Sequence, residues 1–118
     1  MDVIDGNAAP KQDSGAIFTG TVHTLPLVDS RHGAEQLRLL SVTFSPGART
    51  KLHYHTHEQV LVITEGRGIV ATEQHEHHVT PGAVVYVKRN ERHWHGAEPE
   101  FSMTHISING PGETHVVE

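Results

Sequence analysis

Proline or glycine interrupts this 118-residue chain about every ten residues, and no segment between them sustains a period of 3.6. That excludes long amphipathic helices and leaves a succession of short runs rich in branched and aromatic residues. The runs are Leu37–Phe44, Lys51–Thr56, Val60–Thr64, Gly68–Thr72, Ala83–Val87, His93–Gly96 and Phe101–Ile108. Turn signatures bound them: Ser45-Pro46-Gly47, Glu65-Gly66-Arg67-Gly68 and Thr80-Pro81-Gly82. Many short strands at this spacing predict an all-β sandwich or barrel. Gly33–Gln36 is expected to form a helical turn at most. Residues 1–15, polar and rich in Gly, Ala and Asp, read as a loose arm, with one domain over 16–118.

There are no cysteines, so any metal must be held by nitrogen and oxygen. The formal charge is -5 and no basic run is present, which argues against a nucleic-acid partner. Apolar runs such as Val60–Ile63 fall far short of the roughly 20 residues a membrane helix needs. Met1–Lys11 lacks a basic segment followed by an apolar one, so a cytoplasmic location is expected.

The compositional outlier is histidine, with twelve. His53 and His55 alternate on one predicted strand, so both side chains leave the same face about 6.5–7 Å apart at Cα. Two imidazoles at that spacing can converge on one ion. Gln59 follows a turn at Thr56–Glu58 and can return to the same face. His93 can reach it from a neighbouring strand. Read without the metal, Gln59 simply packs at a strand start. His57 is the alternative ligand if the register slips.

His95 shares parity with His93. His105 is placed on one face with Phe101, Met103 and Ser107. If that face lines a cavity, His105 can act as general base, with His95 as a second acid–base candidate. The plainer readings are a buried, satisfied His105 and a rim-exposed His95. His75, His77 and His78 read as a solvated turn. His23, His32 and His115 show no partners in the sequence.

Two blocks carry a family resemblance. Gly47-x5-His53-x-His55-x3-Gln59-x6-Gly66 is similar to the first motif of the cupin superfamily, with Gln59 where that motif has Glu. The block from Gly82 to Ala97 resembles the second motif with its spacing intact. In it Lys88 replaces Pro, Asn90 the second Gly and Ala97 the Asn. Asn90 is a tolerable exchange, because Asn enters left-handed backbone conformations readily. The resemblance implies a single jelly-roll β-barrel with little helix. It also implies a divalent metal held by His53, His55, Gln59 and His93.

A narrower likeness lies in Phe18-Thr19-Gly20-Thr21-Val22, Ser41-Val42-Thr43-Phe44, Pro46-Gly47-Ala48-Arg49-Thr50, His93-Trp94-His95-Gly96-Ala97 and Met103-Thr104-His105. These resemble the small bacterial manganese cupins that act as hydroxynitrile lyases, a group that also carries Gln at the fourth ligand position. The likeness implies Mn(II) as the favoured ion, with Fe(II), Ni(II) or Zn(II) as alternatives, and a small-molecule substrate such as a cyanohydrin. No further cofactor-binding residue is assigned. An amide ligand leaves the ion its full charge, which favours Lewis-acid chemistry over dioxygen chemistry. A metal-dependent dioxygenase and a non-catalytic binding module remain the competing expectations. A homodimer or higher homo-oligomer is expected.

Overall fold

The structure is a computed structural model that describes residues 1–7, 12–13 and 15–118. The part of the expected arm at 8–11 and 14 lies outside the described residues. The strands in chain order are β1 (Gln12–Asp13), β2 (Phe18–Thr19), β3 (Val22–Val28), β4 (Arg38–Phe44), β5 (Arg49–Thr50), β6 (His53–His55) and β7 (Gln59–Gly66). They continue with β8 (Gly68–Ala71), β9 (Glu76–Val79), β10 (Val84–Val87), β11 (Trp94–Ala97), β12 (Met103–Asn109) and β13 (Thr114–Val116).

All pairings are antiparallel. One sheet runs β1-β3-β4-β12-β7-β10, a second β2-β5-β11-β8-β9, and β13 pairs with β6 apart from both. The architecture is an all-β jelly roll. Among the described residues its two large sheets are not joined by hydrogen bonds into one closed cylinder.

Alternation along each strand sends every second side chain inward. On β12 the inward set is Met103, His105, Ser107 and Asn109; on β7 it is Gln59, Leu61 and Ile63. The inner surface therefore changes character along the strands. At one end Phe44, Leu61, Ile63 and Met103 are essentially inaccessible and pack with Val22, Val42, Ala48 and Ala97. Burying each such large apolar side chain contributes about 1.5–3 kcal/mol before entropy is counted. At the other end the buried residues are His53, His55, Gln59, His93, Ser107 and Asn109. A core this polar is stable only if those groups find partners, and this is where the site lies.

Several local expectations are corrected. The single helical turn described is Ser30–His32, not Gly33–Gln36. Asp29 caps it and Gly33, at φ 77°, ends it. Of Lys51–Thr56 only His53–His55 is strand, as β6; Lys51 and Leu52 connect it to β5, and Thr56 follows it. His77 and His78 belong to strand β9, with only His75 in the turn before it. Phe101 precedes β12, stays exposed, and lies 5.0 Å beneath the Arg67 guanidinium, so it does not share the inward face of Met103. None of His23, His32 and His115 is without a partner; Asp29 lies beside His32 and Glu113 beside His115. Strand β3 is absent from the sequence reading because Pro26 stands inside it. A register shift between Pro26 and Val28 accommodates the proline.

Candidate metal centre

The three-residue strand β6 presents His53 and His55 inward and Tyr54 outward. Backbone pairing holds it on both sides. His53 and His93 exchange hydrogen bonds, His53 N to His93 O at 3.0 Å and His93 N to His53 O at 2.9 Å. On the other side β13 pairs Thr114 with His55 and Val116 with His53. The turn Lys88–Glu91 adds a third tie, because Asn90 donates its N–H to His55 O at 2.8 Å. Asn90 sits at φ 66°, the only non-glycine residue with positive φ among those described. That is the left-handed position the motif glycine would occupy.

These ties bring His53, His55 and His93 together. Ring centroids lie 4.8 Å apart for His53–His55, 4.2 Å for His53–His93 and 5.2 Å for His55–His93. One nitrogen from each falls within 4.8 Å of the others, so the three are disposed to bind a metal ion. Outer partners set which nitrogen faces inward. Nδ1 of His53 donates to Lys51 O at 2.7 Å and Nδ1 of His93 to Glu91 O at 2.8 Å. Nδ1 of His55 bonds Thr114 Oγ1 at 2.8 Å. A ring whose Nδ1 carries the proton presents Nε2 as a bare lone pair, the form a metal takes.

Two observations test whether a cation fits. His55 Nε2 is buried and makes no hydrogen bond. Gln59 Oε1 lies 3.3 Å from His93 Nε2, and with Nδ1 protonated neither atom has a hydrogen to offer the other. Facing lone pairs in a buried place repel one another unless a positive charge sits among them. The donor set, three imidazoles and an amide oxygen, suits a divalent first-row ion.

Burial keeps the imidazoles neutral. It pushes His53 down to about 4 and His55 to about 3, with neighbouring imidazoles adding to the effect, and lowers His93 as well. The lone pairs are therefore available throughout the physiological pH range.

His105 and His95 form a second imidazole pair beside the first. His105 is wholly buried on β12, and its Nε2 lies 3.0 Å from Nδ1 of His95 on β11. Burial pushes His105 to about 3 and lowers His95 well below its usual value. The His95 ring stacks against His93 at 5.8 Å. A cavity of about 170 Å³ opens next to these rings, and its walls include Leu61, Val70, Val85, Val87, His93 and His95. His95 thus faces the cavity, whereas His105 stands behind it. The plain reading of His95 as a rim-exposed residue does not hold.

His57 is buried as well, stacked on His55 at 4.8 Å with Nδ1 on Glu58 O, but it does not join the three-histidine group. Trp94 carries the Arg49 guanidinium 3.8 Å over its ring.

Residues 40–108 match the model of the Cupin domain family, more than half the chain. The chain belongs to the cupin family.

This cupin is 40% identical, over 104 residues, to an (R)-mandelonitrile lyase of Granulicella tundricola; the match covers 87% of this chain and 79% of that protein. It is also 26% identical over 114 residues to auxin-binding protein T85 of Nicotiana tabacum, covering 86% of this chain and 60% of the relative. Among solved structures, a cupin-like protein of Thermotoga maritima superposes with a TM-score of 0.83 at 30% identity, over 99% of this chain and 89% of the other. A polyketide cyclase of Streptomyces resistomycificus reaches a TM-score of 0.90 at 18% identity, over 100% and 86%, and shares the fold. No helix among the described residues is long and apolar enough to cross a membrane.

Proposed function

We propose that this cupin is a divalent-metal lyase that cleaves or forms the carbon–carbon bond of small cyanohydrins. The observation that carries the reading is the convergence of His53, His55 and His93, with Gln59 Oε1 against His93, beside a small cavity that His95 lines. The 40% identity to a mandelonitrile lyase supports the substrate class.

In this reading His53, His55, Gln59 and His93 hold the ion, with Mn(II) favoured. When bound, a divalent cation supplies Lewis acidity toward a substrate oxygen. The cavity is smaller than the roughly 300–1,000 Å³ typical of sites for drug-sized ligands, and its aliphatic walls suit the alkyl or aryl end of a small substrate. The neutral His95 imidazole takes the hydroxyl proton. The carbon–carbon bond then breaks, its electron pair leaves with cyanide, and an aldehyde forms. His95 returns the proton to cyanide. His105 supports His95 by accepting the Nδ1–H of the transient imidazolium, so the base of the reaction is His95 and His105 positions it.

Mandelonitrile offered to the manganese-loaded protein should yield benzaldehyde and free cyanide at a rate above that of the buffer. No cyanide release across several cyanohydrins would remove the lyase reading. Oxygen uptake in its place would point to the oxidoreductase alternative.

A further inference from the structure

Gln59 offers two chemically opposite ends, a carbonyl oxygen that can ligate a cation and an NH₂ group that repels one. Nothing in a glutamine selects between them, and the surroundings must do it. Asn109 stands directly across the antiparallel ladder from Gln59 on one side and from Arg38 on the other. Its side chain and that of Gln59 are both buried.

The hydrogens of the two amides are all placed. Asn109 Nδ2 donates to Arg38 O at 3.4 Å and to Ser107 Oγ at 2.7 Å. A backbone carbonyl can only accept, so Arg38 O sets which end of the Asn109 amide is the donor. Asn109 Oδ1 must then face Gln59, and it accepts from Gln59 Nε2 at 2.8 Å. Ser107 Oγ accepts the second Gln59 hydrogen at 3.3 Å. The only end left to face the imidazoles is Gln59 Oε1. A flipped Gln59 would set two carbonyl oxygens against each other and leave buried donors and acceptors unpaired.

We infer that Asn109, relayed by Ser107 and anchored on the Arg38 carbonyl, is a positioning residue that locks the Gln59 amide with its oxygen toward the metal centre. The inference rests on the reading of Gln59 as a ligand, and the test separates the two. Mn(II) affinity is measured by titration calorimetry on the metal-stripped protein, with Gln59→Leu, Asn109→Leu, Gln59→Glu and the double variant Gln59→Glu/Asn109→Leu. Circular dichroism confirms that each is folded.

Asn109→Leu should weaken Mn(II) binding about 10–100-fold, the usual cost of losing an outer-shell partner. In the Gln59→Glu background the same change should cost less than threefold, because a carboxylate has no wrong end. Undiminished binding in Gln59→Leu would overturn the ligand reading itself. Weakened binding in Gln59→Leu with none in Asn109→Leu would overturn the positioning role alone. An equal loss from Asn109→Leu in both backgrounds would also overturn it, because it would mark a general packing defect. Should Asn109→Leu fail to fold, Asn109→Ala takes its place with the same expectations.

Discussion

His105 Nε2 lies 3.0 Å from His95 Nδ1, and this one imidazole pair links the inner face of the six-stranded sheet to that of the five-stranded sheet. The contact orders the two histidines: one meets the cavity and the other backs it. His95→Ala should therefore lower kcat on mandelonitrile by about 10²–10⁴-fold with metal content unchanged. His105→Phe should lower kcat less. It should also move the acid limb of the pH–rate profile to lower pH, since the His95 imidazolium loses its acceptor. An unmoved limb would reduce His105 to a packing residue.

The reciprocal backbone bonds between His53 and His93 put two of the three converging imidazoles on one bridge. His53→Ala removes a proposed ligand and leaves the bridge itself in place. The variant should retain its fold and lose its metal, measured by elemental analysis after dialysis. Full occupancy would sink the assignment of His53 as a ligand.

Acid should destabilise the metal-free protein. Burial holds His53 near pH 4, and His55 and His105 near pH 3, against an ordinary value of 6.5. Above pH 6.5 these groups are neutral in both folded and unfolded chains and contribute nothing to the pH dependence. Between 6.5 and about 4 the unfolded chain binds protons that the folded one does not. Stability therefore decreases as the pH is lowered, by at most about 1.4 kcal/mol per unit for each histidine. Thermal unfolding of the metal-stripped protein should show Tm dropping steeply from pH 7 to pH 5. A flat profile would mean that the imidazoles are not buried as described.

Gly66 and Gly33 share φ 77° but differ in surroundings. A Cβ at Gly66 would meet Ser102 O at 1.9 Å, whereas none at Gly33 would meet anything within 4 Å. Gly33→Ala should cost about 1–2 kcal/mol for the left-handed backbone alone. Gly66→Ala adds an overpacking cost of about 1–3 kcal/mol to that. Urea denaturation compares the two, and equal midpoints would contradict the close approach at Gly66.

The strands from β4 onward were legible wherever alternation and turn residues coincided: Val60–Thr64 lies within Gln59–Gly66, and Phe101–Ile108 overlaps Met103–Asn109. The left-handed position of Asn90 was legible only through the resemblance, where Asn90 stands in place of a motif glycine. Strand β3 was not, because Pro26 reads as a breaker and only pairing with β4 overrides it.

The sequence by itself determined an all-β chain with His53 and His55 on one strand face, because a period of two settles which side chains share a side. It also supplied the donor types for a metal centre. Only the tertiary structure decided that His93 meets them, that His95 rather than His105 faces the cavity, and that Asn109 stands opposite Gln59. The contacts of Gln59 with His93 and with Asn109 join residues 34 and 50 positions apart, and all these relationships depend on which strands pair and in what register. Local chemistry prescribes the face of a strand, but long-range pairing prescribes the neighbour across it.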